Sequence, residues 1–361
     1  MMDANEIAVD KPNSSELYVT LWPTTELPNS NGSAEEVTSY VEFHITIIAL
    51  ALYAFAFLLI ISCNALNLYI MRKPLDCFSD NTRFFLSALA VVDLLSGLVC
   101  CPTEMVLATF GNWPLSHASC DVIAIVYTMV SCQALLCLCL VSVDRFLTIV
   151  KPLRYPTIMT QKRARIVLAC VLLLGALLSL TMLEARNLPS PQENFKLCAL
   201  LYLDSTDPVR PLIIIIIVSF IIPASILLFV NIRLMIITIQ KTRELANMSP
   251  TAVRYTTDRL KGVRTILVLT SAFFVTWLPL MCTMVAAVIF NAHIPPAWGT
   301  LVSFPALCNS WINAFIYLFM CTSYRRAVVK EVRKRFKRRH EKWVTNGSVA
   351  ASAALHSEAA L

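Results

Sequence analysis

Apolar residues gather along the chain in seven long runs, near residues 43–71, 83–110, 121–149, 164–184, 211–240, 262–290 and 298–320, with polar segments between them. Each run is too long for a strand and reaches the roughly 20 residues with which an α-helix crosses a hydrocarbon layer. Lipid offers backbone groups no water, and no alternating barrel pattern is present, so the runs are expected to be helices packed in one bundle. The fold class is thus an all-α membrane protein with seven transmembrane helices. Beyond the last run, Tyr324, Val328 and Val332 recur at i, i+4 and i+8 opposite a basic face. That spacing predicts a short amphipathic eighth helix lying at the membrane surface. The expected organisation is a polar N-terminal segment 1–42, a helical bundle 43–320, the eighth helix 321–340 and a disordered tail 341–361.

Composition agrees, because 57% of residues are hydrophobic and only 15% charged, the balance of a chain whose solvent is lipid. Charge placement orients it. Lys11, Arg186, Lys196 and Arg210 lie outside the bundle on one side, whereas the other 26 of 30 Lys and Arg residues belong to the opposite loops and the tail. Short cytoplasmic loops retain positive charge, so the N-terminus is expected outside a multi-pass plasma-membrane protein. The net charge of +7 therefore needs no nucleic acid, and the run Arg333–Arg339 is expected to meet anionic headgroups of the bilayer. Residues 1–40 hold no apolar core, so no cleaved signal peptide is expected. Asn13-Ser14-Ser15 and Asn31-Gly32-Ser33 are glycosylation sequons on the translocated side, whereas the matches at Asn247 and Asn346 would face the cytosol.

Of thirteen cysteines, eleven fall in the spans or at their cytoplasmic edges, where a thiol is ordinarily a small apolar filler. Cys120 and Cys198 stand at the oxidising extracellular edge, where a disulfide would tie the third helix to the following extracellular loop. Asp93 lies mid-span, with Asn64, Asn309, Ser310 and Asn313 able to share its pocket. Two readings stay open for it: a hydrated cation site, and a polar network that packs the helices. Tyr127 precedes Arg145 by 18 residues, five turns, so both share one face of the third helix. Glu104 lies 11 residues beyond Asp93, about three turns higher and about 20° off its direction, with Pro102 between them. In the sixth run Phe273 and Trp277 share a face, Met281 follows one turn later, and Pro279 removes a backbone donor.

Taken in order, these features resemble the rhodopsin-like G-protein-coupled receptors through all seven spans. Leu89-Ala90 leads to Asp93 as in the second-helix pattern. Asp144-Arg145-Phe146 resembles Asp-Arg-Tyr, and Pro223 stands where the fifth-helix proline is expected. Phe273 to Pro279 is similar to Phe-x-x-Cys-Trp-x-Pro with Thr276 for Cys, and Asn313 to Tyr317 to Asn-Pro-x-x-Tyr with Ala314 for Pro. The resemblance implies a ligand-driven rearrangement through Phe273, Trp277, Pro279, Pro223 and Leu135. A cytoplasmic switch at Asp144, Arg145, Phe146, Asn313 and Tyr317 would then receive a heterotrimeric G protein, with arrestin and a receptor kinase as further partners. It implies an allosteric sodium ion at Asp93, Ser310 and Asn313, and no other cofactor. The departures are Asn231 for the tyrosine expected on the fifth helix and Arg259 where some members carry an acid that locks Arg145.

Other classes fit less well. The chain has seven glycines, few for a transporter of interrupted half-helices, and no nucleophile elbow, zinc motif or phosphate loop, so no enzyme is expected. A retinal protein needs a seventh-helix lysine, and Leu307 occupies that place. Amine receptors of the family carry an aspartate where this chain has Tyr127, which disfavours a small cationic amine unless Glu104 supplies the charge. The expected pocket of Glu104, Tyr127, Ser131, Met281, Met284 and Phe304 is otherwise apolar with a few hydroxyls. No metal site is expected.

Overall fold

A computed structural model describes residues 31–110, 114–180, 217–244, 250–290 and 296–337. The chain divides into two units, residues 1–45 and 46–361. What is described of the first is the beginning of one helix, where Phe43 and His44 meet edge-on.

The long helices are α1 (Asn31–Met71), α2 (Asp80–Phe110), α3 (His117–Val150), α4 (Gln161–Ser179), α5 (Ile222–Glu244), α6 (Pro250–Phe290) and α7 (Pro296–Met320), followed by α8 at residues 322–337. A one-turn helix, Tyr155–Ile158, sits between α3 and α4. Six of the described helices are long and apolar enough to cross a membrane. α4 carries Lys162, Arg163 and Arg165 in its first turns and is described as far as residue 180. α1 begins well ahead of residue 43, so the sequon residue Asn31 stands at a helix start. Asn13, Cys198 and the tail 341–361 lie outside the described residues, as do the side chains of Asp258 and Arg259.

Local chemistry explains several boundaries. Ser116 caps α3 by accepting from the Ser119 amide, and Thr160 caps α4 by accepting from that of Arg163. A π-helical turn, Ile217–Ile221, precedes Pro223, whose missing donor already interrupts the regular ladder. α2 continues through Pro102, and Asp93 and Glu104 are both buried, so the expected shared face survives the proline.

Large apolar side chains cover the outside, as in Leu58, Phe229, Val275 and Phe319, all more than 60% exposed. The bundle thus turns its apolar surface toward the hydrocarbon and keeps polar side chains inward. α3 is central, packed against α2, α4, α5 and α6, while α7 packs against α2 and α6. Tyr324 of α8 is buried against Tyr317 and Val328 is half-buried, whereas Val332 is exposed.

Two of the eleven cysteines expected as apolar fillers are not fillers. Cys77, in the loop before α2, and Cys321, at the α7–α8 junction, are joined by a disulfide. Sequence separation concealed the pair, since the two cysteines are 244 positions apart.

Candidate functional site

The bundle has two polar ends and an aromatic middle. Toward the Cys120 end, Glu104 of α2 is 5% exposed. Tyr127 of α3 donates its hydroxyl to Glu104 Oε1 at 3.4 Å, and the Tyr53 hydroxyl of α1 reaches the same carboxyl. Tyr53 Oη also lies 3.0 Å from Ser303 Oγ of α7, so four helices meet around one acid. Phe304 packs edge-on against Tyr53 at 5.9 Å. Met284 is buried, Met281 and Phe304 pack against the core, and Ser131 is half-buried. The structure therefore brings Glu104 and Tyr127 together and adds Tyr53 and Ser303, which sequence reasoning missed. Cys120 is disulfide-bonded.

Below this cluster Phe273 stacks on Trp277 at 5.6 Å between ring centroids. Phe220, on the π-helical turn, stacks on Phe273 at 6.1 Å and lies 6.0 Å from Trp277. The extra residue of that turn rotates α5 locally, which no apolar periodicity could reveal. The Cys139 thiol donates to the Pro223 carbonyl at 3.3 Å, and Leu135 is fully buried nearby on α3. Pro279 sits on the exposed side of α6, where its missing donor leaves the core face intact.

Asp93 accepts from Asn313 Nδ2 at 2.9 Å, and Ser310 also reaches it. Asn64 donates to the Ser310 carbonyl at 2.8 Å, binding α1 to α7. Buried oxygens of Asp93, Asn64, Asn309 and Asn313 find no hydrogen-bond partner among the described residues. An all-oxygen set holding one carboxylate and spare lone pairs suits a hard monovalent cation, so these residues fit a sodium ion. Among the described residues no group of three or more His, Cys, Asp or Glu is poised to hold a metal.

At the opposite end Arg145 is buried and its Nη2 donates to Ser79 Oγ at 2.6 Å and to Asp144 Oδ2 at 3.0 Å. Asp144 is itself enclosed, accepting from Thr82 of α2 and from the Tyr155 hydroxyl. Burial, and next the Asp144 carboxylate, push the Tyr155 hydroxyl above the usual phenol range. Phe146 is half-buried. Tyr317 packs edge-on against Phe78 at 5.8 Å and Tyr324 at 5.7 Å. A Cβ added to Gly262 of α6 would lie 2.5 Å from the Cys77 carbonyl oxygen, so only glycine permits this approach of α6 to the loop.

Over residues 64–317, more than half of the chain, the sequence matches the family described as 7 transmembrane receptor (rhodopsin family). The chain belongs to this family. It is similar to 5-hydroxytryptamine receptor 6 of Rattus norvegicus, 28% identical over 284 residues that cover 69% of this chain and 63% of that one. Similarity to the alpha-1A adrenergic receptor of Canis lupus familiaris is 29% over 164 residues, covering 45% and 54%. With the alpha-1D adrenergic receptor of Mus musculus it is 22% over 305 residues, covering 72% and 53%. The chain thus spans less than two thirds of the length of these relatives.

Within this receptor the polar groups at both ends contact several helices at once. Asn231 of α5 donates to Ser142 Oγ of α3 at 3.1 Å and to its own Leu227 carbonyl, while Thr270 of α6 donates to Asn231 Oδ1 at 3.4 Å. At the foot of α1, Tyr69 donates to Glu331 of α8 at 2.9 Å, and Lys73 pairs with the same carboxylate while lying over the Tyr69 ring. The Lys73 hydrogen bond holds Glu331 below the usual carboxylate range.

Proposed function

We propose that this receptor lies in the plasma membrane with its N-terminus outside and passes an extracellular ligand signal to a heterotrimeric G protein at the Arg145 end. Arrestin and a receptor kinase are further partners of that end. The observation that carries the reading is the grip on Arg145, which Ser79 and Asp144 hold beside Gly262 and the Tyr317 ring cluster. Outward movement of α6 would open this buried corner to a protein partner. No covalent step is needed, and only binding energy that differs between the two arrangements can drive the change. A sodium ion held by Asp93, Ser310 and Asn313 would favour whichever arrangement keeps those oxygens together.

The test is a ligand-independent G-protein activation panel in cells at matched surface expression. Arg145→Ala and Trp277→Ala are expected to lower activation. Wild-type activation by Arg145→Ala rejects its role, and a chain silent toward every G protein rejects the reading.

The Tyr127–Glu104 hydrogen bond favours a ligand carrying a cationic group, against the expectation from Tyr127 alone. A carboxylate from α2 here reaches the α3 position at which amine receptors of the family carry their acid. Among the described residues the contacts to Glu104 come from hydroxyls, and a buried carboxylate without a cationic partner costs free energy that a bound ammonium would offset. The relatives named for 5-hydroxytryptamine and adrenergic ligands make 5-hydroxytryptamine and noradrenaline the probes. Glu104→Gln is expected to lower the potency of an active amine about tenfold or more, the loss of one charge-assisted bond. Equal potency in the variant would return the pocket to a neutral ligand.

A further inference from the structure

Cys77 and Cys321 form a disulfide whose Cα atoms are 6.1 Å apart, at the end of the bundle where Lys and Arg are concentrated. In the topology proposed above, that end faces the cytosol, where glutathione keeps thiols reduced. A bridge there is therefore conditional on an oxidant. We propose that Cys77 and Cys321 are a reversible modification site that exchanges with glutathione disulfide and, when bridged, holds the receptor in the arrangement described here. The regulatory half of this inference rests on the G-protein reading.

The surroundings of the sulfurs suit exchange. Cys321 precedes α8, and its carbonyl accepts the first helical hydrogen bond from the Arg325 amide. Its Sγ accepts from the Tyr324 amide at 3.4 Å, the position of an N-cap acceptor. The Ser323 hydroxyl lies 3.3 Å from Cys77 Sγ and 3.4 Å from Cys321 Sγ. A helix N-terminus and amide donors favour sulfur as thiolate, the form that attacks a disulfide and leaves from one. Cys77 is 9% exposed and Cys321 1%, so the external disulfide meets Cys77 first.

In the first step the Cys77 thiolate attacks one sulfur of glutathione disulfide, forming a mixed disulfide and expelling one glutathione thiolate. The Cys321 thiolate then attacks the Cys77 sulfur and expels the second. Two electrons pass from the cysteine pair to glutathione disulfide, and the two protons lost by the cysteines are taken up by the two glutathione thiolates.

Position gives the bridge leverage. Cys77, Phe78 and Ser79 are consecutive in the loop 72–79 and touch three helices: the Cys77 carbonyl meets Gly262 of α6, Phe78 meets Tyr317 of α7, and Ser79 holds Arg145 of α3. Stapling this loop to the α7–α8 junction resists the separation of α6 and the movement of Tyr317 together. With free thiols the loop keeps the weaker contacts of Phe78 with Tyr317, of Ser323 with Cys77 and of Lys73 with Glu331.

The experiment uses the full-length receptor in cell membranes, treated with glutathione disulfide, quenched with N-ethylmaleimide and mapped by non-reducing peptide mass spectrometry. G-protein activation is measured on the same membranes. A Cys77–Cys321 cross-linked peptide is expected to appear on treatment. Basal activation should fall about fivefold or more, the low end of ordinary coupling between sites, and return with reduced glutathione. Cys77→Ser and Cys321→Ser should be insensitive, and serine at 321 remains a good helix cap, so folding is preserved. Free thiols after treatment overturn the site. A bridge already complete in cells alkylated before lysis, and resistant to reduced glutathione, overturns its reversibility. A bridge with unchanged activation overturns the switch, as does an equal fall in the serine variants. If no variant activates any G protein, the receptor reading and the switch fall together, whereas the cross-link separately decides the thiol chemistry.

Discussion

Asn231 on α5 donates a hydrogen bond to Ser142 on α3, and through its carbonyl oxygen accepts one from Thr270 on α6. One amide in the half of the fifth helix nearer Arg145 thereby joins the three helices whose separation would open the Arg145 corner. A tyrosine is the residue expected there from the family pattern, and the asparagine makes a different contact: it stabilises the arrangement in which the helices stay together.

Asn231→Ala is therefore expected to raise basal G-protein activation at equal surface expression. Each buried hydrogen bond contributes about 0.5–1.5 kcal/mol, so losing the pair, about 1–3 kcal/mol, is worth about fivefold to 150-fold in a rare active population. Thermal unfolding should occur a few degrees lower, because Ser142 and Thr270 lose their inter-helix partner. Unchanged or lower activation would mean that Asn231 does not discriminate between arrangements.

Glu104 carries a cost in stability that a ligand role would explain. Glu104→Gln keeps an acceptor for Tyr127 without a buried acid, so the ligand-free receptor is expected to unfold at an equal or higher temperature. Glu104→Ala should unfold lower, since a buried hydroxyl left without a partner costs about 1–3 kcal/mol. Thermal denaturation of the purified receptor distinguishes the pair. A Gln variant as unstable as the Ala variant would make the carboxylate structural.

Tyr155 gives a pH signature. Its hydroxyl titrates above the unfolded value of about 10, so its contribution to stability is complete below that pH and is lost as pH rises through the higher folded value. Tyr155→Phe removes the donor to Asp144 and should unfold a few degrees below wild type near pH 8. That gap should narrow as the buffer is taken above about pH 10. A gap independent of pH would place the effect in packing.

Much of this arrangement could be read from spacing, because a helix in lipid satisfies its own backbone and exposes a simple 3.6-residue period. Tyr127 and Arg145, five turns apart, are both buried on α3, and Asp93 with Glu104 share the inner face of α2 despite Pro102. Contacts between distant segments were not legible in this way. Tyr53 meets Ser303 across 250 residues, and Cys77 meets Cys321 across 244. The reading of both thiols as small apolar fillers also pointed away from the second pair. Phe220 owes its stacking on Phe273 to a π-helical turn that shifts the register by one residue, a change invisible to periodicity.

Gly262 offers the sharpest test of where α6 separates. Its missing side chain lets the Cys77 carbonyl approach, and a Cβ at that position would stand 2.5 Å from this backbone oxygen and 3.7 Å from Arg145 Nη1. The nearer atom belongs to a loop held by Phe78 against Tyr317 and by Ser79 against Arg145, so the loop cannot yield cheaply. Alanine at 262 must therefore push α6 outward, in the direction proposed for activation. It also favours helix over glycine by about 0.8–1.0 kcal/mol, so α6 itself is not weakened. The expected result for Gly262→Ala is basal G-protein activation raised several-fold with surface expression preserved, and a further rise for Gly262→Val. In both variants the Cys77–Cys321 cross-link should have less effect, because α6 has already left the stapled loop. Basal activation at or below wild type in both, in receptor that reaches the surface, would show that the contact between Gly262 and Cys77 is not part of the barrier to opening.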